Sequence, residues 1–187
     1  MQMRLHIHTS GSSLIAQQPL VNVVRATIHT LGAVLSGSNS ISTSAYDEAL
    51  GIPTEEAATL ALRTQQVILH ETNIASVSDP LAGSYYLEWL TSKIEDETFK
   101  LIESMEENGG YAKLWETGWF KQELNRSAYR WKDSVDKGEK VIVGLNKYVT
   151  EETQRVPVFR VDPEIEQIAK ERVRKYRQNR NEADTRK

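Results

Sequence analysis

The sequence contains no cysteine among its 187 residues, and this absence removes several kinds of protein from consideration. Without cysteine there is no disulfide framework, no thiolate nucleophile and no cysteine-based metal site. No apolar run approaches the roughly 20 residues that a membrane-spanning helix needs. His6 and His8 lie where a signal peptide would have its apolar core. We therefore expect a soluble, cytoplasmic protein that is not associated with a membrane.

An excess of charge of one sign is also missing. The 23 Lys and Arg residues nearly balance the 26 Asp and Glu residues, which gives no overall attraction to nucleic acid. Residues 170–187 are the exception, with eight basic and three acidic side chains. Glu164, Glu166 and Glu171 are interleaved with the positive groups, and no cluster of stacking aromatics accompanies them. We interpret this stretch as a solvated helix face or a docking element for the acidic remainder of the chain.

What the sequence does contain, at its amino-terminal end, is two strand–loop–helix patterns in succession. Residues 4–10 alternate apolar and polar side chains, and residues 40–46 read as a second short strand. Apolar residues three and four apart predict a helix over 19–36, and an acidic first turn predicts the start of another over 54–71. Parallel strands joined in this way belong to a larger sheet covered by helices. The pattern predicts an α/β fold, namely the last units of a parallel barrel.

The rest of the chain has mostly helical periodicity. We predict a partial barrel over residues 1–75, a helical extension over 76–150 with a short buried strand at 141–146, and a charged helix in 151–187. Within the extension, four aromatic residues recur at roughly helical intervals, which favours core packing over a base-stacking surface; they are Trp115, Trp119, Tyr129 and Trp131.

In a parallel barrel, functional residues collect on the loops that follow the strands. Here residues 8–13 and 42–48 are rich in hydroxyl side chains and suit contact with a large polar ligand, but they lack the acid–base pair of a hydrolase. His6 and His8 share one strand face and supply half of a metal site, with no third ligand nearby. Contact with a substrate or cofactor and a polar barrel lining are the alternatives for this pair. We expect His29 and His70 to be surface or packing residues.

At this point several separate motifs resemble those of one enzyme family. They are Thr9-Ser10-Gly11, Ala16-Gln17, Asn22, Val24-Arg25, Asp47-Glu48-Ala49-Leu50, Pro53-Thr54, Asp79-Pro80, Gly83-Ser84-Tyr85, Gly109-Gly110 and Gly144-Leu145-Asn146-Lys147-Tyr148. Together they resemble the C-terminal segment of the large subunit of coenzyme B12-dependent acyl-CoA mutases, which include methylmalonyl-CoA, isobutyryl-CoA and 2-hydroxyisobutyryl-CoA mutases. The charged last helix is similar to the tail of members whose B12-binding domain is a separate polypeptide.

The resemblance implies a fold and a reaction. The family's large subunit is a TIM (β/α)8 barrel, with acyl-CoA along its axis and adenosylcobalamin over the C-terminal ends of the strands. Homolysis of the cobalt–carbon bond starts a radical 1,2-rearrangement of the carbon skeleton, so these enzymes are isomerases of the intramolecular transferase type. The chain would then hold strands seven and eight with their helices. The first six strands and the histidine signature that ligates cobalt are not in this sequence.

The resemblance also assigns cofactor-binding residues. Gly11 would approach the corrin, where a side chain would clash, and Glu48 would bind the ribose of the adenosyl group. Gly51 and Ile52 would line the cobalamin face. Ser44 occupies the position of an adenosine contact that is asparagine in the methylmalonyl enzyme, which weakens that expectation. The alternative for Glu48 is a carboxylate at the entry to a helix, where the helix dipole stabilises its negative charge.

Substrate binding is implied for His6 and His8, which would point into the barrel near the acyl group. The methylmalonyl enzyme has glutamine at the position of His8 and tryptophan at that of Ser12. His8 places a titratable hydrogen-bond donor near the acyl group, so the sequence favours a short branched acyl-CoA other than methylmalonyl-CoA. No catalytic residue and no metal ligand are predicted within this chain.

The resemblance implies partners as well: the remaining N-terminal portion of the barrel, a B12-binding small subunit and an acyl-CoA, in a hetero- or homo-oligomer. Alone, the chain is expected to be inactive and prone to self-association, because a two-stranded parallel sheet has open edges. The alternative is a non-catalytic assembly or binding module in which the helical region 85–137 is the folded part.

Overall fold

The structure is a computed structural model, and it describes residues 4–151 and 156–181. The parts of the predictions that concern residues 1–3, 152–155 and 182–187, including the end of the charged C-terminal segment, lie outside the described residues. The elements, in chain order, are β1 (His6–His8), α1 (Val21–Leu35), β2 (Ser40–Ser42), α2 (Glu55–Glu71), α3 (Tyr85–Glu107), α4 (Gly110–Glu116), α5 (Trp119–Asp136) and α6 (Pro163–Asn179).

The two strands form a parallel pair in which α1 is the crossover helix. Ile7 lies opposite Ile41 in the register, and the pairing continues beyond the strand ends through a hydrogen bond from Thr9 N to Ser42 O. The prediction of an α/β arrangement with a parallel sheet is confirmed. The second strand is shorter than predicted, because it ends at Ser42 and residues 43–47 form a buried loop.

Helices α1 and α2 pack on each other, and α1 also packs on β2. Their contact is close because the buried positions carry small side chains, chiefly Ala26, Thr30 and Ala33 on α1 and Ala57 and Ala61 on α2. Thr54 caps α2 as its acidic first turn predicts, since the Thr54 hydroxyl oxygen accepts a hydrogen bond from Ala57 N. The amino-terminal unit thus has a small core centred on Ala45, Tyr46, Ala57 and Ala61.

Residues 85–136 form three successive helices, and their aromatic residues are not in a core. Helices α3, α4 and α5 follow one another in contact, and α3 has no buried residue. Trp115 is 65% exposed and Tyr129 is 72% exposed, while Trp119 is half-buried. The prediction of core packing is wrong for the described chain. Periodicity shows which residues share a helix face, and it does not show whether another element covers that face.

The predicted strand at residues 141–146 is also wrong. This segment forms a compact turn with a single bridge between Val143 and Lys147, and Gly144 within it has a φ of +83°. The Asn146 side chain accepts from Ile142 N at 2.7 Å and donates to Val135 O at 2.9 Å. Side-chain hydrogen bonds therefore satisfy backbone groups that a strand would have paired with a neighbour.

Helix α6 begins at Pro163, inside the segment 151–187 for which the sequence predicts a charged helix. Asp162 is the N-cap, its side chain accepting from Glu164 N at 2.9 Å, and Pro163 occupies the first turn. No residue of α6 is buried. Among the helices of residues 4–151 and 156–181, none combines the length and apolarity that crossing a membrane requires.

Candidate functional site

The candidate site is formed by the two loops that leave the carboxyl ends of β1 and β2. Thr9 and Ser44 connect these loops directly. Ser44 N donates to Thr9 Oγ1 and Ser44 Oγ donates to Thr9 O, both at 2.7 Å. Since both residues are buried, these bonds hold the two loops against each other at the point where they leave the strands.

Gly11 and Glu48 are brought together at the outer part of these loops. Glu48 Oε1 accepts from Ala45 N at 2.8 Å, which holds the carboxylate over the start of its own loop. Glu48 Oε2 lies beside Gly11, where a Cβ atom would be 3.3 Å from it. A side chain at position 11 would therefore press on this carboxylate, and the absence of one keeps a surface next to Glu48 open.

Asp47 fixes the next part of the same loop to the start of α2. Its Oδ2 accepts from both Thr54 N, at 2.8 Å, and Thr54 Oγ1, at 2.9 Å. Oδ1 is buried and makes no hydrogen bond with the described part of the chain. Beside it, burial raises the pKa of the Tyr46 phenol, and the negative charges of Glu56 and Asp47 raise that pKa further. Glu48 is thus carried by a loop that is anchored immediately before it.

Sequence reasoning missed the role of Asn22, although Asn22 was part of a motif. It is fully buried in the first turn of α1. Its Nδ2 donates to Ile15 O at 2.8 Å and to Tyr46 O at 2.9 Å, so that it contacts both loops. The available signal was weak: Asn22 shares a helix face with small residues such as Ala26 and Ala33, and the large apolar residues that define the periodicity lie on another face.

Two side chains connect the site to the turn at residues 142–148. Arg25 Nη2 donates to Val143 O at 2.6 Å, and Gln18 Nε2 donates to Tyr148 O at 2.9 Å. Burial lowers the pKa of the Arg25 guanidinium below its ordinary value. The extension is therefore tied to the loops near the site by hydrogen bonds to backbone carbonyls.

The other predicted cofactor-binding residues have different environments. Ser44 is 1% exposed, and its hydroxyl is used in the bond to Thr9. Gly51 and Ile52 are exposed at the far end of the second loop, and a Cβ on Gly51 would lie 3.4 Å from a side-chain carbon of Val158. The structure groups Gly11 with Glu48 and places Ser44 beneath the loops as a connection between them.

His6 and His8 are exposed on one face of β1, while Ile7 and Thr9 between and after them turn toward the helices. His6 Nδ1 is 2.7 Å from Ser40 Oγ on the neighbouring strand. His8 lines an open cavity of about 380 Å³ together with Ser10, Ser13 and His29. Within the described ranges, no three His, Asp or Glu side chains are grouped so that they could hold a metal ion.

With this geometry in view, the comparison with known proteins is decisive at the level of the family. The family model described as methylmalonyl-CoA mutase matches residues 1–187. The chain belongs to this family. The resemblance carried by the motifs is confirmed, and it extends over the whole sequence.

Individual members of the family are similar to the chain at 38–42% identity. The large subunit of 2-hydroxyisobutanoyl-CoA mutase from Aquincola tertiaricarbonis is 41% identical over 98% of the chain and 33% of its own length. The methylmalonyl-CoA mutase of Escherichia coli (strain K12) is 42% identical over 94% of the chain and 25% of its own length. That of Rhizobium meliloti (strain 1021) is 38% identical over 100% of the chain and 26% of its own length. The chain therefore spans between a quarter and a third of these relatives.

Proposed function

We propose that the chain is the C-terminal part of an adenosylcobalamin-dependent acyl-CoA mutase and that its two β/α units complete a (β/α)8 barrel. The parallel pairing of β1 with β2 through α1 supports this, because such units are the repeating element of parallel barrels. Completion of the barrel requires the remaining N-terminal strands, and activity requires in addition a B12-binding small subunit. The cytoplasmic location expected from the sequence belongs to the same proposal.

The observation that carries the proposal is the pairing of Gly11 with Glu48 at the carboxyl end of the two strands. Glu48 Oε1 is held by Ala45 N, so the carboxylate is oriented before any ligand arrives. Oε2 beside Gly11 is an acceptor suited to a ribose hydroxyl, and a Cβ on Gly11 would crowd it. The residues present thus fit the adenosyl part of the cofactor, with Gly51 and Ile52 as further contacts with cobalamin.

The role of this chain in the reaction is to bind and orient. Adenosylcobalamin, when bound, supplies the radical chemistry of the carbon-skeleton rearrangement. Glu48 holds the ribose through its carboxylate, and Thr9 and Ser44 keep the two loops in register beneath it. Ser44 supports the site from below, and its direct contact with adenosine stays a prediction.

We assign substrate contact to the histidine face of β1. His6 is oriented by Ser40, and His8 presents a ring nitrogen as donor or acceptor toward the barrel interior that the missing strands would enclose. A hydrogen-bonding group at this place suits a short branched acyl-CoA with a polar substituent. One relative, the 2-hydroxyisobutanoyl-CoA mutase large subunit of Aquincola tertiaricarbonis, supports a substrate of this class.

The first test is the native mass of the chain recovered from its own cells, followed by an activity assay of the complex that contains it. We expect a complex with a larger polypeptide that isomerises a short branched acyl-CoA only when adenosylcobalamin is added. A complex with no such activity would favour the non-catalytic assembly module instead.

Substitution of Glu48 tests the site within that complex. Glu48→Gln removes the negative charge from the ribose acceptor, and a charged hydrogen bond contributes about 1.5–3 kcal/mol, so the Kd for adenosylcobalamin should rise roughly tenfold or more. Glu55→Gln, an exposed residue in the first turn of α2, is the matched control and should leave the Kd unchanged. An unchanged Kd in Glu48→Gln would remove Glu48 from the cofactor site.

A further inference from the structure

One buried side chain makes contact with both loops of the site and has every polar position satisfied. Asn22 is 0% exposed. Its Nδ2 donates to Ile15 O and to Tyr46 O, at 2.8 and 2.9 Å. Its Oδ1 accepts from Ile15 N at 3.2 Å and from Arg25 Nη1 at 2.8 Å. An amide has two donor hydrogens and two acceptor lone pairs, and all four are used.

These bonds determine the distance between the two halves of the site. Ile15 follows Gly11 by four residues in the first loop, and Tyr46 precedes Glu48 by two residues in the second. Thr9 and Ser44 join the same loops where they leave the strands, whereas Asn22 joins them farther out, on the side of α1. The position of Gly11 relative to Glu48 therefore depends on two separate connections, of which Asn22 is the outer one.

The chemistry of this position requires an amide. A leucine of similar size would leave Tyr46 O buried without its partner and would remove the partners of the half-buried Ile15 N and O. An aspartate would keep the acceptors but lose both donors. Arg25 fixes the orientation of the amide, because its guanidinium donates to Oδ1 and so directs Nδ2 to the carbonyls. Arg25 is itself held by Val143 O.

We propose that Asn22 is a positioning residue for the cofactor site: it holds the Gly11 loop and the Glu48 loop at the separation that binding of adenosylcobalamin requires. This inference rests on the function proposed for that site. It predicts that damage at Asn22, a residue that does not itself face the ligand, weakens cofactor binding selectively. Binding of acyl-CoA, assigned to the face of β1 that carries the histidines, is affected much less.

The test uses the assembled complex with three variants of this chain. Asn22→Asp removes both donors and keeps the shape. Asn39→Asp makes the same change at an exposed asparagine at the opposite end of the sheet. Asn39 immediately precedes β2, and its side-chain oxygen accepts a hydrogen bond from N of Leu5, which precedes β1, at 2.8 Å. Arg25→Lys leaves Asn22 in place but removes the guanidinium that donates to both Asn22 Oδ1 and Val143 O. Amide hydrogen exchange of residues 9–17 and 43–50 and the Kd values for adenosylcobalamin and acyl-CoA are measured for each.

We expect Asn22→Asp to accelerate exchange in both segments and to raise the Kd for adenosylcobalamin at least tenfold, with the Kd for acyl-CoA within twofold of the wild type. Arg25→Lys should show the same effects at a few-fold size, and Asn39→Asp should show neither. An unchanged cofactor Kd in Asn22→Asp overturns the inference, as does an equal loss of affinity for both ligands, which would indicate general unfolding.

Two further outcomes are also decisive. If Asn22→Asp does not assemble, Arg25→Lys takes its place, and an unchanged cofactor Kd in that variant overturns the inference. If the wild-type complex binds no adenosylcobalamin, the proposed function fails by itself. In that case unaltered exchange of the two segments in Asn22→Asp would show in addition that Asn22 does not hold the loops.

Discussion

Thr9 and Ser44 are joined by two hydrogen bonds of 2.7 Å, in which Thr9 offers its hydroxyl oxygen and its carbonyl oxygen to the amide and the hydroxyl of Ser44. Both side chains are almost completely buried. Water cannot replace a partner that is lost at such a place, so each of these bonds is costly to remove. The relative position of the two loops, where they leave the strands, consequently depends on this pair.

Thr9→Val tests this connection. Valine has the shape of threonine but no acceptor, so the buried Ser44 N–H loses its partner and the free energy of unfolding should fall by about 1–3 kcal/mol. Chemical denaturation of the assembled complex, followed by circular dichroism, measures the change. Thr98→Val on α3, where an exposed threonine hydroxyl donates to the Ile94 carbonyl, should change the same quantity by less than about 0.5 kcal/mol. Equal losses in the two variants would contradict the assigned role.

Gly11→Ala should weaken cofactor binding without unfolding the chain. The new Cβ would lie 3.3 Å from Glu48 Oε2, so the carboxylate must move by a few tenths of an ångström. Partial loss of a charged hydrogen bond, about 1.5 kcal/mol, corresponds to a roughly tenfold rise in the Kd for adenosylcobalamin. Titration of the assembled complex with the cofactor measures it.

Gly32→Ala is the matched control for that substitution. Gly32 lies inside α1, and a Cβ there meets nothing within 4 Å. Because alanine is the better helix former, the variant should be more stable by about 0.5–1 kcal/mol and should bind the cofactor as the wild type does. Equal affinities of the Gly11→Ala and Gly32→Ala complexes would show that position 11 does not face the ligand.

Tyr46 makes the stability of the amino-terminal unit sensitive to alkaline pH. Burial, with added repulsion from Glu56 and Asp47, raises the pKa of Tyr46 in the folded state above its ordinary value of about 10. The folded state therefore favours the neutral phenol, and this stabilisation is present below the ordinary pKa and lost as pH rises toward the raised one. Tyr46→Phe should lose less free energy of unfolding between about pH 9 and about pH 11 than the wild type.

Denaturation midpoints of the assembled complex over this pH range measure the difference, and Tyr85→Phe at an exposed tyrosine serves as the control. The control should follow the wild type at every pH. Parallel curves for Tyr46→Phe and the wild type would show that ionisation of Tyr46 does not contribute.

The chain expressed by itself should self-associate. Within the described residues, β1 and β2 pair only with each other, and large apolar side chains on α1 and α2, among them Val24, Ile28 and Leu62, are exposed. Unpaired strand edges and uncovered apolar faces both favour association with other chains. Sedimentation velocity measures this, and a monomer of 21.2 kDa that unfolds cooperatively would contradict it.

Much of the local structure followed from the sequence because it depends on short-range chemistry. Thr54 and Asp162 cap their helices through their own side chains. The period of apolar residues placed α1 within two residues, and the acidic first turn placed the start of α2 within one. The motif that contains Gly11 and the motif that contains Glu48 indicated the family. That assignment needs only the identity and spacing of residues, and the match over residues 1–187 agrees with it.

The tertiary structure decided what these patterns could not. It places Glu48 Oε2 beside Gly11 and gives the buried Asn22 amide contacts seven and 24 residues away, and neither relationship has a periodicity that a sequence displays. It also leaves Trp115 and Tyr129 exposed and turns residues 141–146 into a compact loop. The physical reason is that helix and cap signals act between near neighbours, whereas burial and the pairing of polar groups depend on which distant segment lies opposite.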